Sequence, residues 1–558
     1  MSETAKKILI LGGGTGGIAA ATRLRRLDDR FEITIVDRSG EIAFLPCSLP
    51  YYISGTVDCR EMLFPRTAEE LRKCYRLDIL TGHDAIRIDR SSRQLVVRDL
   101  KTHAETSIAY DKLILSPGAS PILPHVPGME LPLVKTVHTP SDAEEILAIL
   151  NKEPNSPNPV VVLGGGLLGL EMIEAFSRRR IPVILVEAAK QVLIGADIEM
   201  VAPLQQELQT RGVRLLLDVS LTKLEPESDR LIRLSFSDKE DITARFVVAV
   251  VGVQPEVSLA LDAGLKVGLS GAIKVNDRMQ TNDPDIYAIG SAVQQEVSWP
   301  ERTLVGRPTQ VGSVFRQARV AADHLMGFRH HAFESFGGTT ALRLFGLTFA
   351  STGFSEKRLR RERIGYEKVY IAMPDHVEYL PGAEPLLLKV LFSPVDGKLY
   401  GAQAVGKNGV ERRIDILATA IRFGGTVRQL SGIELCYAPL SGWPKDPVHY
   451  AGNAASNLLD GLVKHATLKE MKRPKVKQVL LDVRRPEEFR TDAIPGALSM
   501  PLEQLSESRD GLEKENEYLV YSQTGFRGYL ACRILTQWGF SVKNCSGGLS
   551  VFRLLVPE

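Results

Sequence analysis

Short apolar runs, each followed by a glycine-rich turn and a stretch of helical period, recur through the first half of the chain. Residues 8–11 (ILIL) read as a buried strand, IAAATRLRRL from Ile18 as a helix, and ITIVDR as a second strand ending at Asp37. The pattern returns at residues 160–163, in the helical LLGLEMIEAF, and in the strand VILVEAA that carries Glu187. Two further strand-turn units follow, YDKLILSPGAS and TNDPDIYAIGSA. Strands alternating with helices predict parallel sheets in βαβ units. Beyond residue 330 the pattern changes to strand-like runs such as LLLKVLFSP and KLYGAQAVG, and a last strand-loop-helix begins at YLVYSQTGFRGYLACRIL. The fold class expected is α/β throughout, with a more mixed third region.

The turns between strand and helix carry the first chemistry. Gly12, Gly14 and Gly17 have GxGxxG spacing and open the first helix, with Asp37 twenty residues after Gly17. Gly164, Gly166 and Gly169 repeat the spacing, with Glu187 at the end of the next strand. Glycines there allow a tight turn and close approach of the backbone to a pyrophosphate. The helix end favours its charge, and the acid accepts from a ribose hydroxyl. Two such folds imply two nucleotides with electrons passing between them; a degenerate second copy would not keep the whole pattern. Glu187 repels a 2′-phosphate, so NADH is expected ahead of NADPH.

Composition narrows the field. The chain has 558 residues, enough for roughly three or four domains. A net charge of +2 gives no bulk field for nucleic acid or anionic membrane. No apolar run reaches a membrane span, and ILILGGG after the N-terminal MSETAKK reads as a strand, not a signal peptide. The six cysteines are sparse and irregular, as expected of a reducing, cytoplasmic setting. No cysteines or histidines have zinc spacing, so no metal site is expected.

Cys47 lies in FLPCSLPYYISG, ahead of a short helix with Pro50 in its first turn. The positive end of a helix favours a thiolate there. Cys59 is twelve residues on, too far for a short-loop dithiol. Redox chemistry at Cys47 would therefore use one thiol and a small-molecule partner; the alternative is an inert cysteine.

Taken together, the two glycine motifs, the intervening strand-turns and the single cysteine resemble the FAD-containing pyridine nucleotide-disulfide oxidoreductases, in the single-cysteine subgroup near coenzyme A-disulfide reductases. The resemblance implies FAD in the first fold and NAD(P)H in the second. It implies a redox role for Cys47, and a homodimer in which the C-terminal end of one subunit covers the thiol site of the other. Gly290-Ser291 stands where the family usually has Gly-Asp near the flavin's ribityl chain. Tyr437, in LCYAPLSGWPKDPVHYAGNAASN, matches a tyrosine near the thiol; Tyr379, in YLPGA, is a weaker match. An interface aromatic is the other reading of Tyr437. Arg23, Arg26 and Lys445 occupy places used for coenzyme A phosphates, although solvated surface charges look the same in sequence.

The C-terminal part resembles a rhodanese domain. Its loop is Ser522-Gln523-Thr524-Gly525-Phe526-Arg527, with Ser522 where active members have the nucleophilic cysteine. A hydroxyl does not form a persulfide as a thiolate does, so sulfur transfer is expected to be lost, either by natural change or by replacement. Cys532 and Cys545 are poor substitutes, and Arg527 would help the loop hold an anion.

The expected layout is an FAD-binding domain (1–118 and 272–328), an NAD(P)H-binding domain (119–271), an α+β dimerisation domain (329–457), a basic linker (458–474) and a rhodanese-like α/β domain (475–558). The expected activity is NADH-dependent, flavin-mediated reduction of persulfide or polysulfide, linked to coenzyme A. Coenzyme A-disulfide reduction and NADH oxidation are the alternatives, and a non-catalytic redox sensor or sulfur-carrier scaffold is the reading from a different class.

Overall fold

A computed structural model describes residues 6–299, 302–306, 310–328, 332–334 and 337–556. The chain forms two compact units, one of residues 1–190 and 212–338, the other of 191–211 and 339–558. No helix among the described residues is long and apolar enough to cross a membrane.

The first unit holds two parallel sheets built alike. In one, the strands lie in the order Ile286–Ala288, Lys112–Leu115, Lys7–Leu11, Glu32–Asp37, Asp78–Thr81. Successive residues of a strand point to opposite faces. Ile8 and Ile10 therefore pack with Ala20 and Leu24 of the helix Thr15–Leu27, while Leu9 packs with Leu95 and Val97 on the other side. In the other sheet the order is Arg214–Leu217, Val183–Glu187, Val160–Leu163, Phe246–Ala249, Val134–Lys135. Val160–Leu163 is buried at every position, as a central parallel strand must be. The helix after it, Leu167–Arg178, is the second nucleotide helix.

In the second unit a five-stranded antiparallel sheet runs Thr339–Leu344, Leu347–Gly353, Leu399–Gly406, Pro385–Phe392, Glu367–Pro374. The helices Val410–Arg422 and Pro447–Leu459 cover it through Val410, Ile414, Leu417, Val448 and Ala451. The smaller sheet is parallel, in the order Leu498–Ser499, Gln478–Asp482, Glu517–Tyr521, Ser541–Asn544.

Two features depart from expectation. The segment read as a basic linker packs instead: Val463 and Met471 are buried in the cores of the smaller sheet, and Ala466 N donates to Asn544 O at 2.9 Å, extending its edge. Its lysines hide two inward apolar positions. The other feature is Lys389, which interrupts LLLKVLF yet is fully buried. Its Nζ meets Asp197 Oδ2 at 2.7 Å and Glu199 Oε1 and Glu356 Oε1 at 2.5 Å each. These three carboxylates lie close enough together to hold a metal ion. The lysine ammonium takes the central position instead, with Lys368 and Arg360 also paired to Glu356. Burial opposes ionisation of Glu356, but Lys389 and Lys368 overcome it and hold the carboxyl at about 2.

Candidate functional site

Both glycine turns in the first unit have the same geometry. Gly12 has φ +99°, and a Cβ there would lie 2.1 Å from Ser116 O; one on Gly17 would lie 1.8 Å from Gly12 O. Gly164, at φ +111°, faces Val250 O at 2.7 Å, and Gly169 faces Gly164 O at 2.0 Å. The first and third glycines are thus forced by the turn and by helix packing. The middle ones, Gly14 and Gly166, have nothing within 4 Å of a Cβ. They leave an open approach at the head of each helix, as a pyrophosphate requires.

The acids are held in matching ways. Asp37 accepts from Gly13 N at 2.6 Å and from Ser39 N at 2.7 Å. Glu187 accepts from Gly165 N at 2.7 Å and from Ala189 N at 2.8 Å. Each carboxylate keeps lone pairs for a ribose hydroxyl beside its glycine turn.

Gly290 and Ser291 lie in a single 3-10 turn, where Gly290 N donates to Gln317 Oε1 at 2.8 Å. Gln317 is almost fully buried, and its Nε2 has no hydrogen-bond partner among the described residues. An orphaned buried donor beside this turn fits a bound group with acceptor atoms, such as the flavin of FAD. The sequence offered no sign of Gln317, which sits in an ordinary amphipathic helix.

Cys47 is exposed and lies in the 3-10 turn Pro46–Ser48, directly ahead of the helix Leu49–Ser54. Ser48 fixes the turn, its Oγ donating to Leu45 O at 2.6 Å. Gly55 closes the helix in the left-handed region, at φ +80°. This short helix packs on the second nucleotide helix, and Arg179, at the end of that helix, donates to Ile53 O. Arg60 braces the same region between Glu41 and Glu144. Tyr51, on the cysteine helix, has its phenol raised by burial and then by Glu171, Glu174 and the Cys47 sulfur. Glu171 is raised to about 7 by burial and by Glu174. Glu171, Arg179 and Arg60 were not singled out in the sequence; an acid inside the apolar LLGLEMIEAF was the available signal for the first.

The phosphate-binding candidates divide. Arg23 is paired with Asp323, its Nε donating at 2.8 Å, whereas Arg26 on the same helix is exposed. In the second unit Lys445 is exposed and stacks 4.8 Å from the Tyr450 ring centroid. Tyr379 and Tyr437 are both exposed and come together: partial desolvation and the hydrogen bond it gives to Tyr379 raise the Tyr437 phenol.

Ser522 is buried at the head of the small domain's loop. Its Oγ accepts from Gly525 N at 3.1 Å and Gly528 N at 3.2 Å. Gly525 takes φ +90° in this turn, where its own N–H and that of Gly528 converge on one point. Arg527 is paired with Glu488 at 2.6 and 2.7 Å, so its charge is already matched. Cys532 is buried with its thiol pushed up, and burial raises the Cys545 thiol to about 12.

Residues 6–323 match the family model described as pyridine nucleotide-disulphide oxidoreductase, 341–442 that family's dimerisation domain, and 464–554 a rhodanese-like domain. The structure is similar to that of a reduced CoADR-RHD from Bacillus anthracis, with a TM-score of 0.95 at 37% identity, over 99% of this chain and 98% of that one. It is also similar to an NAD-dependent persulfide reductase from A. fulgidus, with a TM-score of 0.89 at 31% identity, over 98% of this chain and 99% of that one. A coenzyme A disulfide reductase of Staphylococcus haemolyticus is 29% identical over 453 residues, 81% of this chain and all of that protein.

Proposed function

Because the chain belongs to the pyridine nucleotide-disulphide oxidoreductase family, it is an oxidoreductase of FAD and NAD(H), and we propose that it uses NADH to reduce sulfur–sulfur bonds through Cys47 alone. The observation that carries this reading is the exposed Cys47 at the head of a helix packed on the second nucleotide helix, in the unit that holds both glycine cradles.

Gly12, Gly14, Gly17, Asp37, Gly290, Ser291 and Gln317 would hold FAD; Gly164, Gly166, Gly169 and Glu187 would hold NADH. When bound, the flavin supplies a two-electron relay from nicotinamide to sulfur. Cys47 attacks the outer sulfur of a persulfide as its thiolate, expels the carrier thiolate and keeps the sulfur as its own persulfide. Two electrons then release hydrosulfide and restore the thiolate. With coenzyme A disulfide, the same attack leaves a mixed disulfide on Cys47.

Persulfide or polysulfide is the proposed substrate, with coenzyme A as carrier or partner. The rhodanese-like small domain, and the likeness to a persulfide reductase that runs through it, support this substrate; the likeness to the CoADR-RHD at higher identity supports coenzyme A disulfide as the second reading. Arg26 and Lys445 are the better candidates for coenzyme A phosphates, because Arg23 is already paired with Asp323. The protein acts as a homodimer in this reading, with the Tyr379–Tyr437 pair of one subunit set against Cys47 of the partner subunit. Six unpaired cysteines support a reducing, cytoplasmic setting.

The test is NADH consumption by the purified yellow protein with coenzyme A persulfide, polysulfide and coenzyme A disulfide as acceptors. The reading expects the highest kcat/KM with persulfide sulfur. A preference for the disulfide would move the assignment to coenzyme A-disulfide reductase, and no turnover with any sulfur acceptor would overturn it.

A further inference from the structure

We propose that Arg413, together with Arg412, is a positioning residue for the sulfur chemistry: the two guanidiniums tie together the loops that carry Tyr379 and Tyr437 and present the two phenols as one unit. This rests on the sulfur-reducing reading above, in which that pair faces the thiol, and it names residues that reading does not use.

The two loops are far apart in sequence. Tyr379 lies in the hairpin loop between the strands Glu367–Pro374 and Pro385–Phe392. Asp375 closes the base of that loop, its N–H donating to Glu384 O at 2.9 Å and its Oδ1 accepting from Glu384 N at 3.0 Å. A turn follows, with Leu380 N donating to Val377 O at 3.1 Å, and it leaves Tyr379 exposed. Tyr437 lies in the loop that runs to the helix Pro447–Leu459. Just after it, Ser441 N and Oγ donate to Ala438 O at 2.9 and 3.1 Å. Asp446 ends this loop and caps the helix, accepting from Val448 N at 3.0 Å.

Both arginines stand near the start of the helix Val410–Arg422. Arg413 is fully buried. Its Nη2 donates to Asp375 O at 2.9 Å, its Nε to Asp446 Oδ2 at 3.2 Å and its Nη1 to Gly409 O at 3.0 Å. One planar fork therefore holds the base of the first loop and the end of the second. Arg412 grips the second loop on either side of its turn. Its Nη2 donates to Cys436 O at 3.0 Å, the carbonyl joined to the Tyr437 amide, and its Nη1 to Ser441 O at 3.1 Å. Trp443 closes the ring, its Nε1 donating to Pro374 O at 2.9 Å beside Asp375. All of these groups belong to the second unit.

Packing alone does not account for this arrangement. A cation near the N-terminal end of a helix opposes its dipole, and a buried guanidinium is costly to desolvate. An apolar side chain would fill the place of Arg413 without either penalty. What the arginines add is a fixed separation between two loops, and the phenols of Tyr379 and Tyr437 meet where those loops lie side by side. A group displaced by about 1 Å from its working position can lose about 100-fold in rate, so bonds to the main chain of these loops bear on turnover as well as on stability.

The test uses the full-length holoprotein labelled with fluorotyrosine, the Tyr437 fluorine line being assigned by its loss in Tyr437→Phe. Tyr379→Phe should shift that line, because the two phenols meet. Arg412→Ala, which leaves the buried Arg413–Asp446 pair in place, and Trp443→Phe should each shift it too. Arg413→Lys keeps the charge but has no fork to span both loops, and should shift it furthest. In Arg413→Lys the kcat for persulfide should fall about 10–100-fold, with the KM for NADH and the bleaching of the flavin as in wild type. A role exercised through the tyrosines also means that the rate loss from Arg412→Ala should vanish in a Tyr437→Phe background. If the Tyr437 line stays in place in Arg412→Ala and Trp443→Phe, or if the Arg412 and Tyr437 losses simply add, the proposal is wrong; those variants decide it even where Arg413→Lys does not fold. If wild type reduces no sulfur acceptor, the underlying reading fails instead, and the fluorine line still reports whether the arginines hold the pair.

Discussion

The guanidinium of Arg179 donates to the main-chain carbonyl of Ile53, the penultimate residue of the helix that Cys47 precedes. A charged donor on a helix-end carbonyl satisfies an acceptor the helix itself leaves open. Removing it should cost about 1–3 kcal/mol locally. Arg179→Ala is expected to speed amide exchange over residues 50–57 and to lower sulfur reduction several-fold, with the KM for NADH unchanged. Exchange mass spectrometry and steady-state kinetics check both parts.

Cys47→Ser should bind flavin and bleach with NADH as wild type does, because neither glycine cradle uses the thiol. Its reduction of persulfide should fall by at least about 10³-fold, as expected when a nucleophile is removed. Mass spectrometry of the wild-type protein after incubation with coenzyme A persulfide should find the added sulfur on Cys47.

Lys389→Met would leave three buried carboxylates facing one another. Breaking a buried ion pair from one side costs about 3–5 kcal/mol, and Lys368 and Arg360 would offset only part of that. A clear loss of thermal stability is expected. The cluster also gives a pH signature in wild type: Glu356, held at about 2 against an ordinary 4.5, stabilises the fold fully above pH 4.5 and loses that contribution as pH falls toward 2. In Lys389→Met this acid-side loss should be displaced to higher pH, as followed by melting curves from pH 3 to 7.

Glu171 has the opposite sign. Its carboxyl is raised from 4.5 to about 7, so the folded state holds more protons than the unfolded chain between those values. The fold therefore weakens as pH rises through that window, because burying the carboxylate is unfavourable. Glu171→Gln removes the penalty. Its melting temperature should exceed that of wild type above pH 7 and converge with it near pH 4.5.

Ser522→Cys places a sulfur where two main-chain N–H groups, of Gly525 and Gly528, already converge. A thiolate accepts those bonds better than a hydroxyl does, and a nest of this kind stabilises a persulfide. Sulfur transfer from thiosulfate or a persulfide to cyanide should appear in the variant and be absent from wild type. If none appears, the small domain's loop serves for binding alone.

The nucleotide cradles could be read in the sequence because each is local: glycine spacing, a strand before, a helix after and an acid at the end of the next strand. Gly14 and Gly166 lie open, as the motif requires. Cys47 was legible for the same reason, standing ahead of a short helix with a proline in its first turn. What escaped the sequence joins distant segments. Lys389 meets Asp197 and Glu199 from about 190 residues away, and nothing in LLLKVLF announces that the lysine points inward. Gln317 meets Gly290 from 27 residues further along the chain. The stretch 458–474 was read from its charge, whereas Val463 and Met471 decide where it packs. Two apolar anchors in a lysine-rich segment are too few to show as periodicity.

The helix Ile198–Thr210 lies in the primary sequence between two strands of the second parallel sheet, yet it belongs to the compact unit built from the C-terminal half. No single cut in the chain therefore separates the two units. A recombination event near residue 338 would strand this helix on the wrong side of the cut, and Lys389 would be left without Asp197 and Glu199. The terminal rhodanese-like domain rests partly against the same helix. Its seat is thus supplied by a segment more than 250 residues upstream, and homologues that dispense with the tail should carry a different outer face on that helix.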